Sequence, residues 1–154
     1  MIEPQTFRDA LGRFATGVTV VTMDQPGGPR GITVNAFLSL SLTPPLVGIA
    51  IDRSAGAHGT LLEVPAYGVS VLAASQRELS DRYAGRTTAA EATFGRLGAV
   101  PVVEGAIAQL ACRIAQRLPV GDHTLFVGEV EEAVTRAGTP LLYYQGRYGV
   151  DDAP

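Results

Sequence analysis

Three short stretches carry the polar groups from which a binding site would be built. The first lies in residues 31–51, GITVNAFLSLSLTPPLVGIAI, where Thr33, Asn35, Ser39 and Ser41 interrupt an otherwise apolar run. Backbone N–H groups and small side chains at Thr33, Val34, Asn35 and Ala36 suit a planar heteroaromatic ring. Ser39 and Ser41 suit a polyol chain or a backbone neighbour. Short polar residues also serve simply to solvate a turn. The second stretch, DRSAGAH, runs from Asp52 to His58, leaving a strand and entering a helix. Orphan N–H groups and the helix dipole favour an anion at such a start, and Arg53, Ser54 and His58 add donors for a phosphate. Ser54 as a plain N-cap explains the same pattern. The third is Gly121, Asp122 and His123 at a hairpin turn, where the imidazole either faces a ligand or stands exposed. Tyr143, Tyr144 and Tyr148 offer either a stacking face or core.

The inventory narrows the chemistry. All twelve basic residues are arginine, so Schiff-base chemistry and a P-loop lysine are absent. There is no GxSxG, GxGxxG or GxxxxGK[ST] motif. One cysteine rules out an intrachain disulfide, and with two distant histidines a zinc site is not expected. Glu129, Glu131 and Glu132 read as a solvated strand edge and not as a hydrolytic pair. A cofactor that brings its own reactivity fits best, since the protein then supplies shape, donors and electrostatics. A net charge of −3 argues against a nucleic-acid surface. No apolar run approaches the roughly 20 residues of a membrane span. The acidic, amphipathic start MIEPQTFRDALGRF does not resemble a signal peptide, so a cytoplasmic protein is expected.

The elements that must position these groups are mostly strands. The 154 residues, 46% apolar and 18% charged, suffice for one domain with a sizeable core. Phe7, Ala10, Leu11 and Phe14 share one helical face; Thr6 with Asp9 resembles a capping pair, and Pro4 also suits the first turn. Residues 18–22 and 31–36 read as antiparallel strands around the turn-rich DQPGGPR. Pro44 and Pro45 stop the ladder before a buried strand at 46–51. A short helix is expected at 57–64 and a strand at 67–72. Ser75 and Glu78 form a capping-box pattern that opens a helix ending near Gly85. Residues 86–104 read as a long irregular excursion, of the kind that acts as a lid or partner contact. Residues 106–116 and 123–134 alternate as a long hairpin, with Cys112 a small buried hydrophobe, and 140–148 gives one more strand. The absence of a βαβ rhythm points to a mainly β fold, a six- or seven-stranded antiparallel barrel with peripheral helices.

Six segments in order, from FRDALGRFATGVTVVT through GITVNAFLSLSLTPPLVGIAI, DRSAGAHGTLLE, YGVSVLAASQRELSDRYAG and GAIAQLACRIAQRLPVGDHTLFVGEVEEA to PLLYYQGRY, resemble the flavin reductase-like proteins. The likeness is to the short-chain reductase components of two-component flavin-dependent monooxygenases. It implies an FMN-binding split barrel, antiparallel and Greek-key-like, over a single domain spanning 1–154, and a homodimer with flavin sites near the subunit interface. Such proteins use NADH or NADPH to reduce FMN or FAD and release it to a partner monooxygenase. By position, Thr33, Val34, Asn35 and Ala36 match the loop beside the isoalloxazine. Ser39, Leu40 and Ser41 match the ring and ribityl side. Asp52, Arg53, Ser54, Ala55 and His58 match the phosphate region. His123 matches a histidine on the nicotinamide side, cast as a positioning donor; Arg82 and Tyr148 approach the site. Ala36 stands where many relatives have Ser, and residues 86–104 lack a Trp common in the family, which leaves the pyridine-nucleotide preference open. Two alternatives remain: a split-barrel flavoprotein that keeps FMN and reduces a quinone or ferric chelate, and a non-catalytic flavin-binding domain.

Overall fold

The computed structural model describes residues 1–149; residues 150–154, which the single-domain expectation includes, lie outside the described residues. The body is one antiparallel sheet of seven strands: β2 (Thr19–Gln25), β3 (Gly28–Val34), β4 (Phe37–Leu42), β5 (Pro45–Asp52), β6 (Ala66–Val71), β9 (Ala108–Val120) and β10 (His123–Thr135), in the order β3-β2-β6-β9-β10-β5-β4. β3 and β4 are opposite edges of this sheet, yet only Asn35 and Ala36 separate them in sequence. Two residues span at most about 7 Å of extended chain. The sheet therefore curls until the end of β3 comes near the start of β4, and Ala36 O accepts a hydrogen bond from Ala50 N at 3.1 Å, which extends the β4–β5 ladder into the link. No ladder joins β3 to β4 among the described residues, so the barrel stays split there.

Alternate residues fill the interior: Val21 and Met23 of β2, Val47, Ile49 and Ile51 of β5, Tyr67 and Val69 of β6, and Cys112 and Ile114 of β9. Helix α2 (Gly56–Glu63) plugs one end with Ala57 and Leu61. Burial pushes the Cys112 thiol up to about 12, as expected for a core cysteine. Tyr67 crosses β10 at Gly128, where a Cβ would collide with the phenol, and donates to Phe126 O at 3.2 Å.

A second apolar cluster covers the outside of β2 and β6. Val18, Val20, Leu72 and Val103 pack there with Leu79 and Tyr83 of α3 (Arg77–Tyr83) and Phe94. β2 and β6 are thus buried on both faces, which is why VTVVT lacks a clean polar–apolar alternation. The remaining elements are α1 (Pro4–Gly12), none of whose residues is buried, β1 (Thr16–Gly17), the hairpin β7 (Phe94–Leu97) and β8 (Val100–Val103), and β11 (Leu142–Tyr144) with β12 (Arg147–Tyr148). β1, β11 and β12 form a small separate sheet.

Three expectations change. The region expected as an irregular excursion contains the β7–β8 hairpin, closed by Gly98 (φ 54) and Ala99, a two-residue loop whose glycine signal is local. The C-terminal strand is two strands turned by Gln145 (φ 51) and Gly146 (φ 76); the twist-matched turn needs positive φ at both positions, and Gln is not its usual residue. The capping pairs are also different. Pro4 opens α1, and Gln5 rather than Thr6 bonds Asp9. Ahead of α3, Gln76 Oε1 accepts from Ala73 N at 3.0 Å while Ser75 caps nothing.

β8 docks on the sheet through polar contacts: Thr22 Oγ1 to Pro101 O, Val103 N to Ser70 Oγ, and Gln109 Nε2 to Val103 O. Gly68 permits this, because a Cβ there would strike Pro101 O and Thr22 Oγ1. Gly68→Ala should cost about 1–3 kcal/mol through overpacking, lowering Tm by roughly 2–12 °C. Differential scanning calorimetry measures it; an unchanged Tm would show that β8 is not clamped on this glycine.

Candidate functional site

The site grows from the seam. Val34 is buried and its carbonyl accepts the Thr19 hydroxyl at 2.6 Å, so the last residue of β3 is fixed inward. The next two residues cannot also face the core, and Asn35 and Ala36 are exposed. Three clefts meet at Asn35. One of about 220 Å³ is lined by Thr33, Ser80, Arg86, Tyr143 and Tyr148. One of about 520 Å³ runs between α1 and β4, past Phe7, Leu11, Phe14, Ala36 and Phe37. One of about 330 Å³ reaches Val18, Thr19 and Val71. Phe14, Thr16, Asn35 and Phe37 line both larger clefts. The Thr16 hydroxyl is buried with no hydrogen-bond partner among the described residues.

The smallest cleft has a polar wall. Thr33 Oγ1 donates to Ser80 O at 2.6 Å. Tyr148 donates its phenol proton to Asp81 Oδ1 at 2.7 Å, which leaves its oxygen to accept from Ser80 Oγ at 2.7 Å. Arg86 reaches Asp81 at 3.3 Å, and the neighbouring Tyr143 raises the guanidinium further above its ordinary range. Burial raises the Tyr148 phenol, so it stays neutral as a donor. The Arg77 guanidinium stacks 4.9 Å above the Tyr148 ring. Tyr148 thus ties the C-terminal hairpin to α3. Arg82, on the same helix, lies 3.9 Å from Glu91 and over the Tyr83 ring; it lines none of these clefts, whereas Arg86 does.

A second group gathers at the far end of β5. Asp52 pairs with His123 across β5 and β10. From Ala50, bonded to Ala36, to Asp52 is two residues, about 7 Å along the strand. Asp52 Oδ1 accepts from both Ser54 N and Ser54 Oγ at 2.8 Å. The backbone bond first, then the hydroxyl, hold its carboxyl below the usual 3.8. Ser54 is therefore not the N-cap; Ala55 is, with no side chain capping α2. His58 turns towards the barrel, its Nε2 2.8 Å from Thr124 Oγ1 and its ring edge-on to Phe126. Arg30 occupies the place beside α2 instead, its guanidinium lying where a Cβ of Gly56 would stand. The carboxylate Asp122 Oδ1 accepts from His123 Nδ1 at 2.6 Å. A neutral His123 consequently presents Nε2 as an acceptor, where the sequence led to the expectation of a donor.

On β4, Ser39 and Leu40 are exposed and Ser41 half-buried around a bulge between Ser39 and Ser41. The structure thus brings Thr33, Asn35, Ala36 and Tyr148 to the clefts and Asp52, Arg53, Ser54, Ala55 and His123 to the β5 end. Val34 and His58 are turned inward. Sequence reasoning missed Thr16, Arg30, Arg86 and the aromatic face of α1 as neighbours of these groups. Only the helical spacing of Phe7, Leu11 and Phe14 was visible beforehand.

The chain belongs to the flavin reductase like domain family, whose model matches residues 11–150. It is 42% identical over 147 residues to the FMN reductase (NADH) SmoA of Agrobacterium fabrum, covering 94% of this chain and 84% of that protein. It is also 42% identical over 146 residues to the reductase component of 4-hydroxyphenylacetate 3-monooxygenase from Thermus thermophilus, covering 94% of each. Among solved structures it resembles the flavin reductase PheA2 in its native state, with a TM-score of 0.93, 38% identity, and 96% of this chain and 97% of that one covered.

Tyr148→Phe keeps the ring under Arg77 but removes the bonds to Ser80 and Asp81. It should lower stability by about 0.5–2 kcal/mol, with amide protection lost first in residues 142–148. Hydrogen exchange resolves this; protection unchanged in that segment would mean the phenol does not hold the hairpin.

Proposed function

We propose that the protein is an NADH-dependent flavin reductase that binds FMN or FAD at the Asn35 seam and passes reduced flavin to the monooxygenase component of a two-component system. The observation that carries this is the meeting of three clefts at the exposed Asn35, one of them also bordered by Ala36. The SmoA and 4-hydroxyphenylacetate 3-monooxygenase relatives point the same way. The residues present suit the group. A cleft of about 520 Å³ has the size of a small-molecule site, its walls are mostly apolar and aromatic, and a buried hydroxyl in its wall lacks a partner. Bound flavin supplies the acceptor for a hydride from reduced nicotinamide.

What this chain contributes is placement and charge. The backbone at Thr33, Val34, Asn35 and Ala36 borders the ring, with donors fixed by the β3–β4 link so that they need not reorganise. Ser39, Leu40 and Ser41 on the edge strand flank the polyol side. Arg53, the uncapped start of α2 at Ala55, and Arg30 offer positive potential to the phosphate. Asp52 takes up the Ser54 hydroxyl, which orients that loop. His123, held by Asp122, accepts a hydrogen bond at Nε2, as from a carboxamide N–H, and so orients the nicotinamide. Arg82 acts at longer range through α3, and Tyr148 closes the cleft wall. NADPH in place of NADH would require an arginine for its extra phosphate. The clefts open to solvent at Asn35 and Ala36, which favours exchange of flavin as a substrate over permanent retention.

The outer face of the sheet supports a homodimer. Leu38 and Leu40 are 44% and 42% exposed beside Leu125 over Gly48, and Leu118 is 41% exposed on the next strand. Such an apolar patch marks an interface, and a second copy of the chain covers it.

NADH oxidation should depend saturably on added FMN or FAD; turnover by protein that is yellow as purified, with a quinone or ferric chelate and no added flavin, would favour the retained-FMN reading instead. Asn35→Leu should raise the flavin Kd at least about tenfold with Tm unchanged, and normal binding by this variant would show that the wall is misplaced. His123→Ala should raise KM for NADH more than Kd for flavin; hydride-transfer rate and KM both unchanged in stopped flow would remove its role. The double change Leu38→Arg with Leu40→Arg should give a monomer in sedimentation velocity, and an intact dimer would place the interface elsewhere.

A further inference from the structure

We infer that Thr16 is a further flavin-binding residue, whose hydroxyl binds the polar, imide-bearing edge of the isoalloxazine ring. This rests on the assignment of the Asn35 clefts to flavin. The hydroxyl is buried and unpartnered among the described residues, and it is one of only two side-chain polar atoms found so there, the other being Arg82 Nε. Buried hydroxyls in a finished core are normally bonded, because leaving one unpaired sacrifices its hydration without return. Its neighbours show the contrast: Thr19 bonds Val34 O and Thr33 bonds Ser80 O, each at 2.6 Å. Thr16, which lines a cleft together with Thr19, has no such partner among the described residues.

Its location says what the missing partner is. The wall shared by the two larger clefts consists of Phe14, Thr16, Asn35 and Phe37. Two aromatic faces with one hydroxyl and one amide match a flat ring whose edge both donates and accepts. An imide, C=O–N–H–C=O, is such an edge; a hydroxyl and a carboxamide are the side chains that serve either role. β1 fixes Thr16 through its pairing with Tyr143, so the backbone does not move to meet the ring. Binding by this hydroxyl requires that rotation about χ1, from one staggered well to another, bring it from its buried position into the cleft.

The test compares Thr16→Val, which keeps the shape and loses the hydroxyl, with Thr16→Ser, which keeps the hydroxyl. FMN and riboflavin are titrated by quenching of flavin fluorescence, and the Tm of the flavin-free protein is recorded. The inference expects Thr16→Val to raise Kd by about five- to thirtyfold for both flavins alike, since the contact is to the ring and not the phosphate. Thr16→Ser should bind within about twofold of the parent. The flavin-free Tm of Thr16→Val should equal or exceed that of the parent, because an unpaired hydroxyl has been removed. Unchanged flavin affinity in Thr16→Val overturns the inference. A lowered flavin-free Tm in Thr16→Val also overturns it, since the hydroxyl would then be structural. If the parent protein itself binds neither flavin, the assignment of the clefts fails and Thr16 falls with it.

Discussion

Two residues, Asn35 and Ala36, join the opposite edges of a seven-stranded sheet, and most of the molecule follows from that constraint. A chain that short cannot cross a flat sheet, so the sheet must roll until the end of β3 comes near the start of β4. The roll encloses the interior of β2, β5, β6 and β9, and it makes the join itself a place where the backbone leaves the ladder. Backbone that leaves a ladder has unspent N–H groups and room beside it. The clefts at Asn35 are therefore a by-product of closing the barrel, placed by the same link that closes it.

The walls of those clefts come from elements that exist for a different reason. β2 and β6 are hydrophobic on both faces, and one face alone fits inside the barrel. The other is covered by α3, the β7–β8 hairpin and the C-terminal residues around Leu141. This second layer is what brings Ser80, Asp81, Arg86, Tyr143 and Tyr148 to the seam. A tyrosine more than sixty residues away in sequence meets Ser80 because both lie over the same strands. The polar network there is anchored by a carboxylate, Asp81, shared between a phenol and a guanidinium.

The β5 end is held electrostatically. Asp52 and Asp122 lie close together around His123, with ligand-type atoms within 4.8 Å of one another. Each carboxylate has a donor: Ser54 serves Asp52 and His123 serves Asp122. This division fixes the histidine tautomer and leaves the start of α2 without a side-chain cap. Orientation there is consequently set by neighbours and not by the histidine alone.

The sequence by itself determined the antiparallel β character, the long hairpin of β9 and β10 and the core role of Cys112, and it singled out the three stretches around Asn35, Ser54 and His123 on which the proposed site is built. These are readable because they rest on period-two alternation, turn chemistry and the ordered likeness of six segments, all local in the chain. The β7–β8 hairpin was missed although Gly98 signalled it, because a run such as VPVV, buried on both sides, carries no alternation. The split of the last strand was hidden by Gln145 in a turn that usually takes Asn or Asp. Tertiary structure alone decided that His58 faces Thr124, that Ser54 serves Asp52, that Arg86 and not Arg82 lines the cleft, and that Thr16 stands unpartnered beside Asn35. Each of these depends on which distant strand or helix supplies the hydrogen-bond partner, and partner choice follows from the roll of the sheet, which no local pattern encodes.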